Sequence, residues 1–250
     1  MPFPVPSGTN LSAASLEDVK IRNLTIVLSL IAAVSGCAGS TDAVLQAMKY
    51  VVQKDTSAAR AQLNPNFVYL RATVDGRVAL LALGFVDDHP QGPIQVWYSA
   101  QREVLRLQNG RIVGAVGLNA EWRNVVVPDF PPWSRIVEEG GVFRWVRSRD
   151  VMPGYRYGVR DTLALRAIAA PSRTALSGLE PGALTWFEER FEDASGEIVR
   201  DAPLPPARYA IANAKNSEAS VVYAEQCLTP ALCFSWQKWP VAAQPAKETP

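Results

Sequence analysis

The chain has 250 residues, with 25 Lys+Arg against 24 Asp+Glu and a formal net charge of +1. An apolar share of 48% supplies a sizeable core and excludes wholesale disorder, while the charge balance gives no reason to expect nucleic acid as a partner. One histidine, His89, and three cysteines exclude zinc sites built on two or three histidines and leave any Ser-His-Asp scheme a single candidate base.

Residues 24–34 (LTIVLSLIAAV) form an uncharged run of 11, behind Lys20 and Arg22. A bilayer-spanning helix needs about 20 apolar residues, so the run has the length of a signal-peptide core. It ends in Val34-Ser35-Gly36-Cys37, which resembles a bacterial lipobox with Val in place of the more usual Leu. The sequence therefore predicts a lipoprotein signal over 1–36 and diacylglycerol on Cys37, so that outer-membrane lipid is the first partner. Ala38 stands where an Asp would retain a Gram-negative lipoprotein at the inner membrane, which points to the periplasmic face of the outer membrane. Acyl chains contribute about 0.8 kcal/mol per buried CH₂. Residues 1–18 are a polar leader that a signal peptide does not need, and a start at Val19 would give a conventional short signal.

After a short tether, Val44, Leu45, Met48, Val51 and Val52 recur at helical spacing, predicting an amphipathic helix that fades before Asn64-Pro65 and closes a lipidated segment over 37–62. A β-rich domain is expected over 63–240. Strands are predicted at 67–73, 77–86, 94–99, 104–107, 111–116, 141–147, 155–169, 184–193, 197–200, 208–212, 221–225 and 232–236. Asp75-Gly76 and Asn109-Gly110 are hairpin turns. Many short, evenly spaced strands indicate a mainly β fold, an antiparallel sandwich or partly closed barrel. The proline-bearing stretch 125–139 (VVVPDFPPWSRIVEE) cannot be central sheet; it reads as a linker between two β subdomains or a long loop within one. Residues 241–250 read as a disordered tail.

With Cys37 lipidated, Cys227 and Cys233 remain as an even pair, a disulfide candidate in an oxidising compartment, with two free core thiols as the alternative. His89, in Asp87-Asp88-His89-Pro90, reads as part of a solvated turn, not as a metal ligand. On an extended strand Glu188, Arg190 and Glu192 share one face, a surface charge stripe, while Glu189 joins Phe187 and Phe191 on the other and calls for an arginine partner. Glu188 and Glu192 would stand about 13 Å apart on a strand, too far for paired-carboxylate glycosidase chemistry. No phosphate loop, nucleophile elbow or cofactor motif occurs. Trp133, in the proline stretch, and Trp97 are candidates for stacking on sugar rings; core packing is the competing reading for the tryptophans.

Between 63 and 125 a distinctive order of features appears: Phe67-Val68-Tyr69-Leu70 after an Asn-Pro turn, then Val78 to Gly84 (VALLALG), Val96-Trp97-Tyr98-Ser99, Asn109-Gly110-Arg111-Ile112-Val113 and Val116-Gly117-Leu118. Behind a lipobox, this order resembles the YjbF/GfcB-type group 4 capsule polysaccharide lipoprotein family. Ala115 stands where many members carry Thr, and the C-terminal CLTPALCFSWQKWP is not a close match. The resemblance implies a β-rich, outer-membrane-anchored accessory to exopolysaccharide or capsule assembly or export. It would be non-catalytic and cofactor-free, acting on the export machinery or the polysaccharide by binding. The alternative is a periplasmic polysaccharide-modifying enzyme with an unrecognised carboxylate pair.

Overall fold

In a computed structural model of the chain, residues 63–241 are described, apart from 129, 194, 200–201 and 213–218. The signal segment, Cys37, the expected N-terminal helix and residues 242–250 lie outside the described residues.

The strands are β1 (Tyr69–Val74), β2 (Arg77–Asp87), β3 (Ile94–Ser99), β4 (Val104–Gln108), β5 (Arg111–Val116) and β6 (Glu121–Val126). After a short helix, α1 (Trp133–Glu139), come β7 (Val142–Met152), β8 (Arg156–Ile168), β9 (Leu184–Phe191), β10 (Ala207–Ala212), β11 (Ser220–Thr229) and β12 (Leu232–Trp239). Each strand runs antiparallel to its neighbours in sequence, and β12 returns to pair with β1 from Tyr69↔Trp239 to Val74↔Phe234, so the sheet closes into a ring. The fold is thus mainly β and antiparallel as expected, with the closure complete.

Both predicted hairpin turns form, and for the predicted reason. Asp75 and Gly76 have φ of 48° and 72°, Asn109 and Gly110 49° and 77°; two successive positive φ values give the turn whose twist matches the flanking strands. Gly110 has a further constraint, because a Cβ there would lie 2.5 Å from Val221 Cγ2. The β4–β5 turn is therefore pressed against β11.

That contact is one of several across the lumen. Gln226 of β11 accepts from Ile112 N (3.1 Å) and donates to Gly110 O (3.1 Å), and Trp122 Nε1 donates to Leu228 O (3.1 Å). A twelve-strand ring held round would enclose space; these bridges flatten it, and Leu70, Trp97, Leu105, Trp122, Leu163 and Trp236 fill it as part of one apolar core.

Outside the ring, residues 169–180 lie as a strap. Ala175 N donates to Tyr223 Oη (2.9 Å), its carbonyl accepts from Arg71 Nη1 (3.2 Å), and Ser177 and Gln237 exchange two hydrogen bonds (2.9 and 2.8 Å). Beneath the strap Trp186, Ala210 and Tyr223 make a second, smaller apolar cluster.

The strands on either side of the proline stretch are paired neighbours in one ring, so the stretch is an excursion between them. Its first residues, 125–126, complete β6, and 133–139 form α1; proline is tolerated at a helix start, where its missing N–H loses no bond. Of the strand expected at 197–200, the described residues 197–199 fold back on 191–193 through one bridge, Glu192↔Ile198, and the bonds Asp193 N to Glu197 O (2.9 Å) and Val199 N to Phe191 O (3.0 Å), around a turn in which Asp193 Oδ1 accepts from the Ser195 and Glu197 amides.

Cys227 and Cys233 are register partners in β11–β12, with their Sγ atoms bonded at 2.06 Å. The bond closes a loop with a sequence separation of 6, for which chain entropy gives about 2 kcal/mol. The Cys227→Ala/Cys233→Ala protein is expected to lose that amount in urea denaturation, with reductant shifting the native protein but not the variant.

Candidate functional site

Arg111 opens β5 directly after the Asn109-Gly110 turn. The turn is pinned by Val221 and Gln226, so the next side chain enters the interior and is only 5% exposed. Its Nε donates to Glu189 Oε2 at 3.2 Å, and Glu189 Oε1 lies 3.8 Å from Arg147 Nη1. Arg147 in turn donates from Nε and Nη2 to Asp161 Oδ2 (2.9 and 2.8 Å), and Arg149 grips the same carboxylate from its Nε and Nη2 (2.6 and 3.1 Å). Strands β5, β7, β8 and β9 thus bring three guanidinium groups and two carboxylates into one buried row.

Aromatic rings surround the end of that row. The Arg111 guanidinium carbon is 3.4 Å from the Phe130 centroid, 4.6 Å from Trp133, 4.8 Å from Tyr209 and 5.0 Å from Trp145. Cation–π attraction from four rings offsets part of the cost of burying the charge. Desolvation pushes the Arg111 pKa down, with the Glu189 carboxylate opposing, yet a guanidinium stays protonated at physiological pH. Burial, then the Glu189 carboxylate, push the Tyr209 phenol up, so it is neutral and sits 3.3 Å from Gln226 Oε1 as a donor. Arg111 Nη1 and Nη2 have no hydrogen-bond partner among the described residues.

Arg111 also lines a cavity of about 250 Å³, together with Pro90, Gln91, Gln108, Asn109 and Phe130. The β2–β3, β4–β5 and β6–β7 connections share one rim of the ring, and the cavity lies among them. His89 organises its mouth: the exposed imidazole Nδ1 accepts from Gln91 N (3.3 Å) and is 3.2 Å from Gln108 Nε2, which also donates to Gly92 O (2.7 Å). Among the described residues no group of three or more His, Cys, Asp or Glu side chains could hold a metal ion.

The residues singled out in the sequence fall elsewhere. Trp133 is 4% and Trp97 1% exposed, which corrects their reading as stacking surfaces. Trp133 is drawn inward because Nε1 donates to Asn109 O (2.8 Å) and its ring packs on Phe187 and Tyr209. Trp97 lies on β3 between its partners Leu83 and Leu105, in the core. The stripe is not a surface one, because its acids are buried under arginines: Glu188 faces Arg190 (2.5 Å), Arg208 (3.6 Å) and Arg166 (3.8 Å), and Glu192 is held by Arg144 (2.7 Å). Glu189 has the arginine partner it called for, and a second beyond it. Arg111 itself was not picked out. Its signal is the run that follows, Ile112-Val113-Gly114-Ala115, buried without alternation: a strand covered on both faces also buries the charge at its head.

The sequence profile of the family described as group 4 capsule polysaccharide lipoprotein GfcB, YjbF, matches residues 29–193. Among solved structures, the crystal structure of the hypothetical lipoprotein YmcC from Escherichia coli K12 is similar in fold, with a TM-score of 0.50 and 15% sequence identity. The likeness covers 82% of this chain and 98% of that one. No curated protein sequence matches. A profile match over well more than half of the chain, containing β1 to β9 and the whole Arg111 row, is decisive: the chain belongs to the group 4 capsule polysaccharide lipoprotein family.

Proposed function

We propose that the protein is a lipid-anchored accessory of surface polysaccharide assembly or export. It would be held at the periplasmic face of the outer membrane through Cys37 and would act by binding glycan or export machinery, without catalysis. Family membership carries the reading, and the lipobox-like Val34-Ser35-Gly36-Cys37 behind a basic and apolar run supports the anchor. The interior chemistry is in keeping with a binding role. Each carboxylate of the buried row is already engaged by two arginines, Glu189 by Arg111 and Arg147, Asp161 by Arg147 and Arg149, so neither is placed to shuttle protons to a substrate.

The test is surface polysaccharide output in the wild type, a clean deletion, and the deletion complemented with Cys37→Ala. Output is expected to fall in the deletion and to stay low with the unanchored form. Equal secretion by all three strains would remove the export role.

A further inference from the structure

We infer that the cavity over Arg111 is a binding site for a carboxylate-bearing sugar residue, an inference that rests on the polysaccharide reading above. Three observations converge on it. The buried row holds Arg111, Arg147 and Arg149 against Glu189 and Asp161, so it carries one positive charge more than it cancels. Buried charges are ordinarily paired; the aromatic rings attract the surplus cation but accept no hydrogen bond in the plane of the fork. Second, Arg111 Nη1 and Nη2 are the donors left over. Its Nε is taken by Glu189 while both terminal nitrogens are buried and without a partner among the described residues. Two adjacent guanidinium nitrogens form the fork that receives a carboxylate with two parallel bonds.

Third, the space is the right size and character. A cavity of about 250 Å³ is below the range of drug-sized pockets and suits one sugar ring. Phe130 lines it while lying 3.4 Å from the guanidinium carbon, so one wall offers an apolar ring face. Gln91, Gln108 and Asn109 line the polar side, where sugar hydroxyls find partners. Phe130 follows β6 on the proline stretch and packs on the guanidinium; both terminal nitrogens are shut off from solvent, so a ligand reaches them only when a lining side chain such as Phe130 shifts. The ligand class is therefore a uronate or similar acidic residue of a polymer, with Arg111 reading the carboxylate.

Titration of the full chain, purified in detergent, with D-glucuronate, D-glucose and inorganic phosphate tests this, read by tryptophan fluorescence. Trp133 and Trp145 stand within 5.0 Å of the guanidinium carbon and report directly. Saturable glucuronate binding with a Kd of about 1 mM or tighter is expected, with no response to glucose. Arg111→Lys, which keeps a cation for Glu189 but removes the fork, is expected to weaken binding by about tenfold or more. Gln91→Trp provides a second variant independent of the buried row, since this exposed side chain at the mouth can block the cavity without touching the ion network; it should abolish binding while leaving the circular dichroism spectrum unchanged. Absence of glucuronate binding, equal binding of glucose, response to phosphate alone, or undiminished binding by Gln91→Trp overturns the site. If the site fails while the deletion strain still loses surface polysaccharide, the accessory reading stands without it; if the deletion strain secretes normally, the accessory reading fails on its own account.

Discussion

Asp161→Asn is expected to destabilise the barrel by about 3–5 kcal/mol, the cost of removing one partner from a buried ion pair. Asp161 is 3% exposed and takes four guanidinium contacts of 3.1 Å or less from Arg147 and Arg149. Asparagine has nearly the same volume, so no cavity opens and the loss is electrostatic. It leaves Glu189 as the one carboxylate against three arginines in the row, and gives Arg147 and Arg149 a neutral amide oxygen in place of an anion. Urea denaturation measures the loss without adding salt. Arg149→Met in the Asp161→Asn background removes one stranded cation and should recover part of it, which a packing defect would not allow. A loss below about 1 kcal/mol, the value for an exposed ion pair, would show that water reaches the row.

Trp133→Ala comes next in size. The indole is enclosed by Phe130, Phe187 and Tyr209 and anchored by its hydrogen bond to Asn109 O at 2.8 Å. Truncating a buried tryptophan costs about 3–5 kcal/mol, whereas Trp133→Phe, which keeps most of the ring and loses the donor, should cost nearer 1 kcal/mol. The same pair of denaturation curves separates the two contributions. Near-equal losses for Ala and Phe would mean that the hydrogen bond, and not the packing, holds α1 against the ring. Arg111 gives the loss an additional sign: one of its four aromatic neighbours disappears, so its cation is less well compensated in Trp133→Ala than in Trp133→Phe.

The strands were legible because their signals are local. Asp75-Gly76 and Asn109-Gly110 take up positive φ, which few residue pairs provide, and the strands they join are rich in Val, Leu and Ile. Glu189 between Phe187 and Phe191 was legible too, since period-2 alternation places a lone carboxylate on an apolar face and burial then demands a cation. What was missed depends on closure. β6 (EWRNVV) alternates poorly because Trp122 faces the lumen while Arg123 and Asn124 lie outside, and the prolines that follow hid α1. Trp133 looked exposed because prolines usually mark surface loops, but the excursion turns inward at the rim. Arg111 could not be recognised as a site from its neighbours in sequence: Phe130, Trp133, Trp145, Glu189 and Tyr209 reach it from four other segments.

The pairing of β1 with β12 joins the two ends of the domain, Tyr69 with Trp239, and this sets when the molecule can fold. One side of β1 is covered by β2 as soon as the first hairpin forms; the other stays raw until the last strand arrives. Contacts between such distant segments form late, on the millisecond-to-second scale of non-local β topologies, and the waiting edges are open to pairing with other chains. A chain cut anywhere before Leu232 is therefore no smaller version of the barrel. It leaves β1 and its own final strand unpaired together, and is a substrate for aggregation or proteolysis.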